Sequence, residues 1–157
     1  DLDTSGIEAD ITWLVTDSFD LRLSYAFLDA EFQEGVIVDG DGNPTDLNGK
    51  KAIRAPENTY SVVANWDISE SLRARVDYAY TDEMFYTADN APDLLASDFS
   101  LLGARIDYQF PNSGLAMSII GENLTDEEYA QSMINFLLPM SMPGYNRAVR
   151  AEVRYTF

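Results

Sequence analysis

Seven segments of roughly ten residues alternate between apolar and polar side chains, and this period of two constrains the fold more than any other feature of the chain. Residues two apart lie on the same side of a β-strand, so each segment predicts a strand with one apolar and one polar face. The chain is therefore expected to be all-β. The predicted strands cover residues 6–15, 21–27, 60–66, 72–80, 102–110, 115–122 and 149–157.

The two rows of side chains on these strands differ in charge. The apolar rows contain no charged residue, whereas the polar rows carry six arginines and six acidic residues. A sheet built from these strands would have one uncharged face and one face on which opposite charges balance. The charged residues of the polar rows are Glu8, Asp10, Arg22, Arg73, Arg75, Asp77, Arg105, Asp107, Glu122, Arg150, Glu152 and Arg154.

The connections between the predicted strands alternate in length. Residues 16–20, 67–71 and 111–114 are short links rich in Asp, Ser, Asn, Pro and Gly, as tight turns require. Residues 28–58, 81–100 and 123–147 are long links. Outer-membrane β-barrels have this asymmetry, with long extracellular loops and short periplasmic turns. The sequence thus predicts an antiparallel up-and-down transmembrane β-barrel segment of about seven strands.

Aromatic residues on the apolar rows gather just before a short turn or the end of the chain. Tyr and Trp concentrate at membrane interfaces, because the ring prefers hydrocarbon while its O–H or N–H group stays hydrated. These residues predict a membrane girdle, and the last of them a terminal signal for assembly: Trp13, Trp66, Tyr108, Phe110, Tyr155 and Phe157.

Composition excludes several functions. The 157 residues include no Cys and no His, which removes thiol nucleophiles, Ser–His–Asp triads and ordinary zinc sites. A net charge of −17 argues against nucleic acid as a partner. No apolar stretch is long enough for a transmembrane helix. We therefore expect no enzymatic activity, no metal, no cofactor and no bound nucleic acid.

A soluble antiparallel β-sandwich is the structural alternative, since its strands also alternate. Three features disfavour it: the strands are long, the links alternate strictly in length, and many apolar-row residues are too small to fill a dry core. Seven strands cannot close a bacterial barrel, for which even counts of eight or more are the rule. We therefore expect an incomplete barrel that belongs to a larger protein.

Four stretches of the chain resemble one family, the TonB-dependent outer-membrane receptors, in the C-terminal part of their β-barrel. They are LSYAFLDAEF (23–32), APENTY (55–60), GENLTDEEY (121–129), and PGYNR (143–147) followed by VRYTF (153–157). The third is similar to the family's NLTDxxY segment, and the fourth to its final strand with a terminal Phe. The resemblance covers almost the whole chain.

The resemblance implies a bacterial outer-membrane protein with about 22 strands around a plug. Residues 1–157 would be the C-terminal portion of that barrel, without the plug. The implied function is active transport of a scarce ligand, such as a ferric siderophore or a cobalamin-like complex. The implied partners are outer-membrane lipid, the remaining barrel strands and the plug, TonB through an N-terminal part not in this chain, and the barrel assembly machinery. A passive pore or structural barrel is the alternative function.

Candidate ligand contacts lie in the long links, where Phe85, Tyr86, Phe136 and Met140 could stack on or pack against a ligand. The loop around the last two is unusually apolar, and it could equally fold over neighbouring loops. The lumen-facing candidates are expected to pair with acids or plug groups more often than with ligand. They are Arg22, Arg73, Arg75, Asp77, Arg105, Asp107, Glu122, Arg150, Glu152 and Arg154.

The long links and the first residues together carry 17 of the 27 acidic residues and four of the ten basic residues. This acidic rim could hold divalent cations or steer a cationic ligand, or it could be a solvated, repulsive surface. Asp39, Asp41 and Asn43 imitate the start of a calcium loop, but Pro44 replaces the required Gly and Lys50 the closing Glu. A hairpin tip is the better interpretation of that stretch.

Overall fold

The computed structural model describes residues 1–38 and 42–157. Asp39 and Asp41 of the calcium-like stretch lie outside them. Within the described residues, no helix is long and apolar enough to cross a lipid bilayer. The described residues form one short 3₁₀ helix, Pro92–Leu94, and thirteen strands. The strands are β1 (Leu2–Thr16), β2 (Phe19–Phe32), β3 (Val36–Val38), β4 (Pro44–Asp46), β5 (Asn58–Ser69), β6 (Leu72–Thr81), β7 (Met84–Phe85), β8 (Leu95–Ala96), β9 (Phe99–Gln109), β10 (Leu115–Glu122), β11 (Ala130–Phe136), β12 (Leu138–Pro143) and β13 (Ala148–Tyr155).

The seven long strands form one antiparallel sheet in the order in which they occur along the chain, β1-β2-β5-β6-β9-β10-β13. This up-and-down order confirms the predicted fold class and all seven predicted strands. The first strand is longer than its alternating segment. The last ends at Tyr155, so that Phe157 follows the strand. β1 and β13 each pair on one side only and are the edges of the sheet.

Each long connection contains a small hairpin whose strands the alternating pattern did not predict, although a hairpin tip was expected in the first connection. These hairpins are β3–β4, β7–β8 and β11–β12, and each is a separate two-stranded sheet. They were missed because two or three residues are too few to show alternation. The third hairpin is longer; in β12 Leu138, Met140 and Met142 alternate with Pro139 and Ser141, whereas β11 has Met133 and Ile134 side by side.

The register of the sheet aligns the apolar rows of neighbouring strands. Ile11 lies opposite Leu23, Val76 opposite Ala104, and Ile106 opposite Ile119. Directly opposed residues share a face in an antiparallel sheet, so the seven rows merge into one continuous surface. Extra residues bulge at 15 and 68, each just before a short turn. We call the merged uncharged rows the apolar face and the opposite rows the polar face.

Buried side chains lie mainly among the long connections rather than beneath the sheet. Within the described residues, the buried apolar positions are Ala30, Leu47, Ala52, Leu94, Ala96 and Ile120. Large side chains of the apolar face are instead exposed, including Ile7 at 66% and Val153 at 64%. A sandwich would enclose those rows in a dry interior. The soluble β-sandwich alternative is therefore wrong for this chain.

Candidate functional site

Over the predicted strand segments, the apolar face spans the entire width of the sheet without a charged side chain. Beyond those segments, Asp3, Asp29 and Glu31 continue its rows on β1 and β2. Its middle rows are open as well as its edges, as Ile106 and Ile119 show with exposures of 50% and 57%. A contiguous apolar surface of this extent marks contact with lipid or another apolar partner. The hydrophobic effect would strongly disfavour leaving it in water.

All six aromatics of the predicted girdle lie toward the short-turn end of the chain's long strands. Trp13 and Trp66 are more than half exposed on the apolar face. The other four form two edge-to-face pairs with ring centroids about 5 Å apart. These are Tyr108 with Phe110 at 4.8 Å and Tyr155 with Phe157 at 5.0 Å. The placement in a membrane interface stays a prediction.

A second group of aromatics, which the sequence analysis missed, lies on the same face at the opposite ends of the strands. The rings of Tyr60 and Tyr80 are stacked with centroids 4.8 Å apart. Tyr25 lies opposite Tyr60, and its hydroxyl donates to the Asn58 Oδ1 at 3.0 Å. The signal was present in the sequence, since these tyrosines follow the apolar parity toward the long links.

The polar face is held together by ion pairs and hydrogen bonds between neighbouring strands. Arg105 Nε donates to both carboxylate oxygens of Asp107 at 2.9 Å, and its Nη2 donates to Ser118 Oγ at 3.0 Å. Ser118 Oγ donates in turn to Asp107 Oδ1 at 2.5 Å. This triad of Arg105, Asp107 and Ser118 connects β9 to β10 near the middle of the face.

Most of the predicted lumen-facing residues are paired with one another. Arg154 has no ion pair among residues 1–38 and 42–157. Arg75 lies directly opposite Arg105, a repulsive position that the carboxylates of Asp77 and Asp107 offset. The further pairs are Arg22–Asp20 at 3.3 Å, Arg73–Asp67 at 2.8 Å, Arg75–Asp77 at 3.3 Å and Arg150–Glu122 at 2.9 Å.

Hollows along the polar face indicate that the sheet curves toward this side. One hollow near the short turns has a volume of about 360 Å³ and is lined by Arg73, Arg105, Asp107, Glu152 and Arg154. Others, of about 320, 340 and 560 Å³, lie among polar-row residues further along the strands. A concave charged face and an uncharged opposite face are the two surfaces of a barrel wall.

The first two long connections are tied together where they meet. Asn90 Oδ1 accepts from the backbone N–H of Lys51 at 2.8 Å, and Asn90 Nδ2 donates to the Lys51 carbonyl at 2.9 Å. The Arg54 backbone N–H donates to the Phe85 carbonyl at 2.8 Å. Lys51 Nζ also donates to Glu57 Oε2 at 2.9 Å, and this bond raises the pKa of Lys51.

Tyr86 joins the second long connection to both of its neighbours. The Arg54 guanidinium lies over the Tyr86 ring, 5.1 Å from its centroid, in a cation–π contact. The Tyr86 hydroxyl donates to the Gln131 carbonyl of β11 at 3.0 Å. Phe85 lies half-buried in β7 beside it. Of the four candidate ligand contacts, these two are thus engaged within the loops.

Phe136 and Met140, the other two candidates, lie on the third hairpin and are exposed. Their exposures are 69% and 54%. Phe136 pairs with Leu138 and Met140 with Ile134, so both candidates lie on one side of the hairpin. Two of the four candidates are thus engaged within the loops, and the other two are exposed on the third hairpin.

The family-like segments at 121–129 and 143–147 fold into one interlocked unit, which we call the Asn123 clasp. Asn123 is 7% exposed, accepts from the Glu127 N–H at 2.8 Å, and donates to the Glu127 and Tyr145 carbonyls at 2.9 Å. Asp126 Oδ2 pairs with Arg147 Nη2 at 3.0 Å. The clasp closes the base of the third hairpin.

An aromatic contact completes the clasp. The Tyr129 ring stacks on Phe99 of β9, with centroids 4.5 Å apart. Gly144 passes so close to the Tyr129 ring that a Cβ would meet it at 2.1 Å. Only glycine fits there without moving the ring. Sequence reasoning recognised these residues by resemblance alone, because partners some 20 positions apart give no local pattern.

Asp82 follows directly after β6 and anchors the second long connection. Asn58 Nδ2 donates to Asp82 Oδ2 at 3.0 Å, and this hydrogen bond is the largest cause holding the pKa of Asp82 below its usual range. Within the described part of the chain, no three acidic side chains are grouped to hold a metal ion.

The sheet order, the two unlike faces and the loop-rich end define a segment of an outer-membrane-type β-barrel wall. The family model described as "TonB dependent receptor-like, beta-barrel" matches residues 1–124. The chain belongs to this family of TonB-dependent receptor β-barrels. No curated protein matches the chain significantly in sequence.

Solved structures resemble the chain in fold at low sequence identity. The siderophore receptor PiuA from Acinetobacter baumannii aligns with 97% of the chain at 17% identity and a TM-score of 0.81. The ferric yersiniabactin uptake receptor FyuA from Yersinia pestis aligns with 99% of it at 17% identity and a TM-score of 0.82. The chain spans 21% and 24% of the length of these two receptors.

Proposed function

We propose that residues 1–157 form the C-terminal wall of an outer-membrane receptor that takes up a scarce ligand, such as a ferric siderophore, with energy supplied through TonB. The observation that carries the proposal is the separation, over the predicted strand segments, of an exposed, uncharged face from an ion-paired, concave face in a member of this receptor family. The names of the structurally similar receptors, which refer to siderophore and ferric yersiniabactin uptake, support the choice of ligand.

In this proposal the apolar face contacts outer-membrane lipid and the polar face lines the lumen, where it meets the plug. The two aromatic groups lie at the two interfaces of the membrane. The long connections with their hairpins face the exterior and the short turns face the periplasm. The exposed edges of β1 and β13 pair with the remaining barrel strands, because unpaired backbone groups are not tolerated in hydrocarbon. The barrel assembly machinery would insert the complete protein.

The experiment that tests this function measures iron uptake by cells that carry or lack the full-length receptor. Under iron limitation, cells with the receptor should accumulate a radiolabelled ferric chelate, and collapse of the inner-membrane proton gradient should abolish that accumulation. A passive pore, the alternative function, would let the chelate enter regardless of the gradient. Uptake that is equal with and without the receptor would contradict both.

A further inference from the structure

The side of the molecule that bears the long connections has a large excess of negative charge. These connections and the first residues carry 17 acidic and four basic residues. Of these four bases, Lys50 is the one with no ion pair or ring contact in the ranges 1–38 and 42–157. The other three are engaged: Lys51 with Glu57 at 2.9 Å, Arg147 with Asp126 at 3.0 Å, and Arg54 over the Tyr86 ring at 5.1 Å.

This charge distribution has a consequence for any ligand that approaches from that side. Many of the described acids on this side are exposed and have no ion pair with a described basic residue. Asp29, Asp46 and Asp93 are examples. A field of one sign repels ions of the same sign and lowers their local concentration. An anionic ligand would meet this repulsion with almost no free cation to bind it.

The third hairpin differs from the rest of this side because residues 130–146 contain no charged side chain. One of its faces is apolar at nearly every position and is more than half exposed. We call it the apolar hairpin face. It consists of Ile134 at 54%, Phe136 at 69%, Leu138 at 72%, Met140 at 54% and Met142 at 61% exposure.

The apolar hairpin face is held in place before any ligand arrives. The Asn123 clasp fixes the base of the hairpin, and the Tyr86 hydroxyl holds β11 through the Gln131 carbonyl at 3.0 Å. A surface that is already ordered loses little conformational entropy when it binds. Methionine side chains on it can adapt to an irregular apolar shape.

We infer that the cargo of this receptor is a ferric chelate without net negative charge that bears an apolar substituent, and that the apolar hairpin face binds this substituent. The inference rests on the proposed function and names the chemical class of its substrate. Charge matching favours this occupant, since the extended uncharged surface that the third hairpin presents on this side is apolar and its surroundings repel anions.

The test uses the purified full-length receptor and three ferric chelates. The first is a neutral trihydroxamate chelate with an acyl chain, the second is the same chelate without the chain, and the third is a tricatecholate chelate with three negative charges. The acylated chelate should bind about tenfold more tightly than the second, because several methylene groups leave water. The catecholate should bind most weakly and should bind better as salt is added.

Variants of the hairpin locate the effect. Phe136→Ser combined with Leu138→Ser should weaken the acylated chelate by about tenfold and leave the chelate without the chain unchanged. The matched control is Val36→Ser combined with Val38→Ser on β3, where both valines are 70% exposed. The control pair should leave the binding of all three chelates unchanged.

The outcomes separate the inference from the function on which it rests. If the tricatecholate binds most tightly, or if the acyl chain adds no affinity, the inference is overturned while the receptor function stands. An equal loss in the β3 control also overturns it. If none of the three chelates binds to a folded receptor, both the inference and the proposed siderophore uptake fail.

Discussion

Asn123 combines two properties that few other side chains could supply at this position. Its φ of 47° lies in the left-handed region, which asparagine adopts more readily than most non-glycine residues. Its amide also satisfies three backbone groups, two at Glu127 and one at Tyr145, which is 22 positions from Asn123 in the chain. One buried amide therefore links the two segments of the Asn123 clasp, as the hydrogen bonds of paired strands would.

Replacement of this amide should loosen the third hairpin while the sheet stays intact. Asn123→Ala leaves the Glu127 N–H and the Tyr145 carbonyl without their partner, at a cost of about 1–3 kcal/mol. Hydrogen exchange of the full-length receptor should accelerate by roughly tenfold or more within residues 123–147.

Asn112→Ala is the matched control for that substitution. Asn112 also has a positive φ, 54°, but it is exposed in a short turn and its side chain makes no hydrogen bond within the described residues. Comparable acceleration around the two sites would show that backbone strain, rather than the amide bonds, explains the effect.

At the scale of the elements, the polar face contains opposed arginines that would repel each other without the carboxylates beside them. Arg75 on β6 and Arg105 on β9 are directly opposed, and each is accompanied by an acid two positions further along its own strand. The pattern Arg-x-Asp thus occurs on two neighbouring strands. The sheet keeps two arginines in register because each has its own carboxylate.

Removal of one of these carboxylates should weaken the pairing of β6 with β9. Asp107→Asn leaves Arg105 facing Arg75 without the carboxylate on its own strand, and we expect a loss of about 0.5–1 kcal/mol, since the side chains are about 40% exposed and partly screened. The measurement is the urea midpoint of the refolded full-length receptor.

Glu152→Gln serves as the comparison on the same face. Glu152 approaches Arg105 only to 3.9 Å and Arg150 to 3.7 Å, so its removal should shift the midpoint less. A shift as large as that of Asp107→Asn would mean that the total charge of the face, not the opposed arginines, sets its stability.

The elements also show what the sequence could predict. The seven long strands could be predicted from alternation, because in a sheet with one apolar and one polar face the polarity of each residue indicates the face on which it lies. The small hairpins and the clasp depend on contacts such as Asn90 with Lys51 and Asn123 with Tyr145. These contacts join residues that are far apart in the chain, so they produce no periodic pattern in the sequence. The girdle near the short turns was predicted, whereas Tyr25, Tyr60 and Tyr80 were overlooked at the other end.

At the scale of the whole molecule, the two faces need different surroundings. The apolar face has no dry interior to enter, and the polar face already satisfies most of its own charges. The arrangement is inverted relative to a water-soluble sheet protein, in which the uncharged rows would be covered by the protein itself.

A charge should therefore be tolerated on one face and not on the other. Ala104→Arg introduces a cation in the middle of the apolar face and should cost about 2–4 kcal/mol if that face meets lipid. Ala79→Arg places the same side chain on the polar face of β6 and should cost little. Folding of the full-length receptor into lipid vesicles, followed by gel mobility, measures the difference. Equal tolerance of the two variants would exclude lipid contact at Ala104.

The bonds between the long connections restrict how the loop-bearing end of this sheet can move. Asn90 and Tyr86 link three hairpins in series, so no hairpin can swing away without breaking a bond to its neighbour. Motion at this end is therefore expected to carry the three connections together, with the bonds between them intact.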